Sequence, residues 1–563
     1  MNRSNVLLHR LFWELTFIVL LGLLLTVSCS KDDGPPPENQ EQPQENNQDG
    51  QGEDPEEQVQ EAADYQTLKA LYDANPNNSL NWDLNDKSMQ SWARVTQQNG
   101  YVVELDLTGK NLSTIPSEIG NLSKLTEITI ASNSLGELPP EFGDLDGLSY
   151  LNLESNSLTA LPEELGKLVN LTFLHLGSNL LESLPTQLTK LDQLKTLIAH
   201  NNSLTALPAG MGKLSVLEVL DLTQNLLESV PPEIGDLKTL TNLNLDDNRL
   251  DEIPWEYGKL ENLKFLSLEN NSIFQLPGEV CYLEGSGTSI SKDGNVICNF
   301  VGANYRALVA LYDANPGNGL NWDLSDTFMQ GWNNVYLFPD GTVERISMYS
   351  ENISNLPPEI GNLRSLRVLT IEDNTLEVLP KEIGLLTNLE ELNVGYNQLK
   401  ELPNEIGNLE NLNYLDTQEN QLKTLPSQIR NLQKLEYLYA NENQIQFIPP
   451  EIGTLTSLVT LDLDQNEIKE IPPDLSKLPL LEHLDLSVNN VQHIPEDLGN
   501  LVNLRYLFLN DNAIAEIPQS FGNLMDLITL SLEENLFESI PQEVCNLEKT
   551  GTTITVDPDV KCE

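Results

Sequence analysis

Leu217-Glu218-Val219-Leu220-Asp221-Leu222-Thr223-Gln224-Asn225-Leu226-Leu227-Glu228-Ser229-Val230-Pro231-Pro232-Glu233-Ile234-Gly235-Asp236-Leu237 is one unit of a pattern that begins again at Leu240. Its ninth position, Asn225 here, falls also at Lys110, Asn133, Asn156, Asn179, Asn202, Asn248 and Asn271. A second run places it at Glu351, Asn374, Asn397, Asn420, Asn443, Asn466, Asn489, Asn512 and Asn535. The spacing holds at 23 residues throughout both runs. A fixed period of this length marks an architecture of stacked supersecondary units.

Within the unit, Leu220-Asp221-Leu222 alternates apolar and polar, as a half-buried strand does. So short a strand must pair with its counterparts in neighbouring units. The Asn that follows ends the strand in a turn, and its amide can satisfy backbone groups left unpaired inside a stack. Pro231 suits the first turn of a short returning helical segment, and Gly235 is expected to close that segment in a left-handed conformation. Positions 217, 220, 222, 227, 230, 234 and 237 are apolar. Burying seven side chains does not offset the ordering of 23 backbones, so a unit folds only against its neighbours.

The motif resembles the leucine-rich repeat family over roughly residues 101–278 and 341–542, and its Leu-Pro-x-x-Ile-Gly-x-Leu half is most similar to intracellular-type and bacterial repeats. The resemblance implies an α/β solenoid: leucine-rich repeat horseshoes with a parallel concave β-sheet, in two tandem capped arrays. Lys110 and Glu351 depart from the ladder Asn, as terminal repeats do.

The flanks are duplicated as well. Asp64-Tyr65-Gln66-Thr67-Leu68-Lys69-Ala70-Leu71-Tyr72-Asp73-Ala74-Asn75-Pro76 returns as Asn304-Tyr305-Arg306-Ala307-Leu308-Val309-Ala310-Leu311-Tyr312-Asp313-Ala314-Asn315-Pro316. Leu80-Asn81-Trp82-Asp83-Leu84 returns as Leu320-Asn321-Trp322-Asp323-Leu324, and Trp92 as Trp332. Each reads as an amphipathic helix and a Trp-anchored loop covering the first strand of a solenoid. It resembles the N-terminal cap of extracellular leucine-rich repeat proteins; a sugar platform on Trp82 and Trp322 is the alternative. Cys281 and Cys298, like Cys545 and Cys562, lie 17 apart around a Gly-Thr-rich stretch with the look of a closing strand. Such pairing suggests one disulfide per C-terminal cap. A zinc site is the rival, with no His near either pair.

The N-terminus has Arg3 and Arg10, an apolar run over residues 15–27, then Ser28-Cys29. It resembles a bacterial lipoprotein signal over residues 1–28, with lipid on Cys29 and Thr26 as its departure from the usual pattern. An ordinary secretory signal and an uncleaved anchor are the alternatives, Glu14 and the modest apolar run weighing against a span. Ser30-Lys31-Asp32-Asp33 resembles the surface-export signal of some Gram-negative lipoproteins, or simply opens an acidic linker. Residues 29–63 are expected to be a disordered acidic tether. The organisation expected is a first array with both caps over 64–298, a linker over 299–303 and a second capped array over 304–563. The place expected is the outer membrane of a Gram-negative bacterium, facing outward.

A formal net charge of −54 excludes a basic stripe for nucleic acid, and is best read as a solubility adaptation. Concave positions beside the buried strand residues would face a ligand. In the second array these are Tyr396, Tyr414, Asp416, Tyr437, Tyr439, Asp462, Asp464, His483, Asp485, Tyr506 and Phe508, expected to form one continuous patch. The first array offers Tyr150, Phe173, His175 and Phe265, expected to be more scattered. Asp462, Asp464 and Asp485 could pair for acid–base work or weak calcium binding, though solvation on an open sheet explains them better. His175 and His200 fall on neighbouring strands, but no third ligand at a suitable spacing accompanies them, so no metal, cofactor or catalytic residue is expected. The function expected is non-enzymatic binding of another protein. Glycan capture for polysaccharide uptake is the alternative.

Overall fold

The computed structural model describes residues 55–563. The signal, Cys29 and most of the tether lie outside the described residues. Two sheets run along the chain, of ten and eleven strands, each opening with an antiparallel hairpin (Val95–Gln98 with Tyr101–Asp106, Val335–Leu337 with Val343–Ser347). Every later strand in them is parallel to its neighbour, and within each run of repeats the middle residue pairs with the one 23 further on, as Leu220 with Leu243. The seven apolar positions of the quoted unit are all buried, at 0–5 % exposure.

The ladder Asn does what its burial requires. Asn225 Oδ1 accepts the Leu204 N–H of the preceding repeat at 3.1 Å, while Nδ2 donates to the carbonyls of Ala199, Leu222 and Thr223. One side chain thereby bonds four backbone groups, one of which, the Thr223 carbonyl, also accepts the Asn201 N–H. The left-handed residue of each unit is the one before this Asn: Gln224 at φ 56°, Tyr396 at 54°, Val488 at 51°. The conformation is unfavourable for β-branched Val488, so there the stack imposes the turn against local preference.

Gly235 corrects one expectation. It does not lie in the left-handed region; it closes the 3-10 turn Pro232–Asp236, and a Cβ on it would lie 2.2 Å from the Glu256 carbonyl oxygen in the next repeat. The same clash, always with the residue 21 positions on, recurs at Gly143, Gly166, Gly384, Gly407 and Gly453. The glycine is therefore a spacer that lets adjacent convex turns approach. Pro231, too, precedes the turn in extended conformation, and Pro232 begins it.

Both N-terminal caps form alike. Asp64 Oδ2 accepts the Val102 N–H at 2.8 Å, and Asn304 Oδ1 the Val343 N–H at 2.7 Å. Trp82 stacks on Trp92 with centroids 4.6 Å apart, and Trp322 on Trp332 at 4.7 Å. All four indoles are buried and donate to backbone carbonyls, so they serve as cap core rather than as a sugar platform. The first cap helix, Pro55–Ala74, starts inside the stretch expected to be tether. After Pro55 the run Glu-Glu-Gln-Val-Gln-Glu-Ala-Ala has no helix breaker and carries its acids at the N-terminal end, which favours the helix.

Disulfides join Cys281 to Cys298 and Cys545 to Cys562. The expected closing strands are present, Ser289–Ser291 beside Phe265–Ser267 and Thr553–Thr555 beside Thr529–Ser531. Between the arrays the expected linker is folded: Asn299 ends a strand, and its side chain accepts the Gly302 N–H to cap helix Phe300–Ala314. Glu279 and Arg306 form a bidentate pair, Tyr282 donates to the Asn362 carbonyl at 2.8 Å, and Asn304 donates to the same oxygen. The two hydrophobic cores stay separate while cap packs on cap. Among the described residues no helix is long and apolar enough to cross a membrane.

Candidate binding surfaces on the concave sheets

Each three-residue strand buries its middle residue and turns the flanking two toward the groove, which sets side chains in rows that run across repeats. One row in the second array holds Tyr414, Tyr437, Thr460, His483 and Tyr506; the next holds Asp416, Tyr439, Asp462, Asp485 and Phe508. The side chains gather into two aromatic clusters. Tyr414 lies 6.3 Å from Tyr437 and 5.6 Å from Tyr439 between centroids, and His483 lies 5.9 Å from Tyr506 and 5.5 Å from Phe508. Thr460 and Asp462 stand between them, so the expected patch has an acidic saddle at its centre.

Two expected site residues belong elsewhere. Asp416 is 2 % exposed; its carboxylate accepts the Gln418 N–H, the Gln418 side-chain amide and the Tyr414 hydroxyl. It positions Tyr414 and closes a turn rather than meeting a ligand. Tyr396 sits on the left-handed turn after strand Glu391–Asn393, at the rim and not in the rows.

Asp462 and Asp485 also close turns, accepting the N–H groups of Asp464 and Ser487, and Asp485 takes the Ser487 hydroxyl as well. Burial, with Asp485, Asp464 and Asp416 nearby, pushes Asp462 up to about 7. Burial raises Asp464 as well, and it holds His483 below the usual imidazole value. Asp462 therefore carries only part of a negative charge at neutral pH.

The first array is less scattered than expected. Tyr150 and Phe173 stack at 4.5 Å with rings 3° from parallel, and Phe173 meets His175 edge-on at 6.3 Å. His175 Nε2 lies 3.5 Å from His200 Nε2, and Nδ1 lies 3.8 Å from a Glu154 carboxylate oxygen. Burial first and His200 second hold His175 down at about 3, so at neutral pH the contact with Glu154 is not an ion pair. Phe265 lies four strands beyond Phe173, outside this cluster. Glu154 and Gly177 were missed in sequence, although Glu154, Gly177 and His200 occupy one repeat position at intervals of 23.

The geometry defines a leucine-rich repeat solenoid with side-chain clusters gathered on its concave sheets. A family model described as a leucine-rich repeat region matches residues 142–243, 392–462 and 473–551, and one described as a Leucine Rich Repeat matches 457–478. The chain belongs to the leucine-rich repeat proteins. Both matched families are repeat families, not catalytic ones. Similar solved structures include a leucine-rich repeat protein of Leptospira interrogans, 31% identical over 80% of this chain and 95% of that one, with a TM-score of 0.34. The Arabidopsis receptor kinase HAESA, solved with the peptide hormone IDA and the co-receptor SERK1, is 25% identical over 89% and 82%, with a TM-score of 0.37. The plant peptide hormone receptor RGFR1, solved with RGF2, is 23% identical over 84% of each chain, with a TM-score of 0.35. No curated protein matches the chain by sequence.

Proposed function

We propose that this is a non-enzymatic recognition protein, held at the outer-membrane surface by lipid on Cys29, which binds another protein on the concave face of its second array. The observation that carries the reading is the pair of aromatic clusters flanking the Asp462 saddle. Tyr and Phe rings offer large contact area with little entropy to lose, and Tyr hydroxyls add hydrogen bonds, which is the composition of interface hot spots. The folded junction between the arrays supports a stiff two-array body in which both faces can meet one partner or a repetitive surface.

Protease shaving of intact cells tests the location: digestion of the chain is expected, and full protection places it in the periplasm. The ligand class is tested on a glycan array with the full chain. No retention is expected. A glycan retained by the native chain and lost in Tyr437→Ala/Tyr439→Ala would overturn protein recognition in favour of sugar capture.

A further inference from the structure

Gly177 leaves a small hollow in the first concave sheet, into which the His175 and His200 rings already lean closer than a methyl would allow, and three metal-binding side chains stand around it. Glu154 comes from the repeat before, His200 from the repeat after, and His175 from the same strand segment two residues earlier. A methyl at Gly177 would lie 2.7 Å from His200 Nε2 and 2.9 Å from His175 Nε2, so both ring nitrogens face the space that the glycine vacates. One ligand atom from each of the three residues can be chosen with all of them within 4.8 Å of one another. The imidazole nitrogens are 3.5 Å apart. Two nitrogens on a tetrahedral zinc at about 2.0–2.1 Å stand roughly 3.3–3.4 Å apart, so the rings need move very little.

We propose that Glu154, His175 and His200 bind one divalent transition-metal ion in the hollow over Gly177, with a coordination position left open toward the groove. Two imidazoles with one carboxylate suit zinc, nickel or copper and are too nitrogen-rich for calcium or magnesium. The Tyr150–Phe173 stack walls the hollow on one side and holds the His175 ring edge-on. All three ligands are partly buried, which limits the rotamer freedom lost on binding. The open position faces the groove, where a His or carboxylate side chain of a bound partner could complete the coordination.

The test is calorimetric titration of the full-length chain in detergent with zinc, nickel and copper(II) salts, joined to electron paramagnetic resonance of the copper form. One ion per chain is expected in this site, bound most tightly for copper, with hyperfine coupling to two imidazole nitrogens. His175→Ala and His200→Ala should each weaken it by about 100-fold, and Glu154→Gln by about tenfold. Gly177→Ala keeps every ligand and fills the hollow, so it too should weaken binding by at least about tenfold; its added methyl meets only ring ends, and it guards against a misfolded histidine variant. His483→Ala, on the other array, should change nothing. Less than tenfold loss in the two histidine variants, copper signals without two nitrogens, or no saturable binding below about 1 mM would each overturn the proposal.

Discussion

The two arrays carry a glycine at the same repeat position, and its surroundings differ. Gly177 is bracketed by Glu154 and His200, with His175 two residues before it; Gly395 is bracketed by Glu372 and Gln418, with Asn393 two residues before it. The first acid is shared. Where His175 and His200 turn ring nitrogens into the hollow, Asn393 donates its amide to Glu372 at 3.0 Å, and a methyl at Gly395 would meet Gln418 Cγ at 3.1 Å. One hollow collects imidazole nitrogens and the other closes itself with amides. The backbone offers the same hollow in each array, and two side chains decide what it can hold.

Asn393→His with Gln418→His should create beside Glu372 a second metal site where none is expected, raising the titrated stoichiometry from one ion to two. If it stays at one, backbone position alone does not define the site. Next in size is recognition. Tyr437→Ala/Tyr439→Ala should weaken partner binding by about 100-fold or more, while Tyr150→Ala/Phe173→Ala costs less than about threefold; equal losses would make the arrays equivalent.

Convex glycines obey another rule. Gly235→Ala should destabilise the fold by about 2–3 kcal/mol in chemical unfolding, because its methyl meets a fixed carbonyl rather than a movable side chain. Gly177→Ala should leave the unfolding midpoint almost unchanged. The smallest effect concerns the saddle. Asp462 is raised to about 7 in the folded chain, above an unfolded value of about 3.9, so its stabilising contribution is present below pH ~4 and is lost as pH rises through 7. Asp462→Asn keeps the acceptor for the Asp464 N–H. It should stabilise the chain by about 1–2 kcal/mol at pH 8, after allowance for partial exposure, and by nothing measurable at pH 4. A gain of the same size at both pH values would show that Asp462 does not titrate between them.

The solenoid was legible because its period reports burial: Leu220, Leu222 and Ile234 recur where a stacked unit needs apolar side chains, and Asn225 where it needs a bonded amide. Gly235 was misread because a glycine that ends a turn and a glycine that makes room look alike until the Glu256 carbonyl is in place. Asp416 looked like a concave ligand because its row faces the groove, yet its bonds to Gln418 and Tyr414 use it up. The Glu154–Gly177–His200 column escaped because reading His175 against His200 alone ignores the residues one repeat away. In a solenoid, positions 23 apart are neighbours, and a missing side chain there counts as much as a present one. The early start of helix Pro55–Ala74 was hidden by the acidic composition it shares with the tether.

The proposed recognition by the concave face of the second array is open to direct test. Photo-crosslinking on living cells addresses it, with a benzophenone side chain placed at Tyr437 in the groove or at Asn431, exposed at the end of the convex 3-10 turn Ser427–Asn431. A discrete crosslinked protein is expected at Tyr437 and none at Asn431. The same product at both positions, or a product at Asn431 alone, would contradict it.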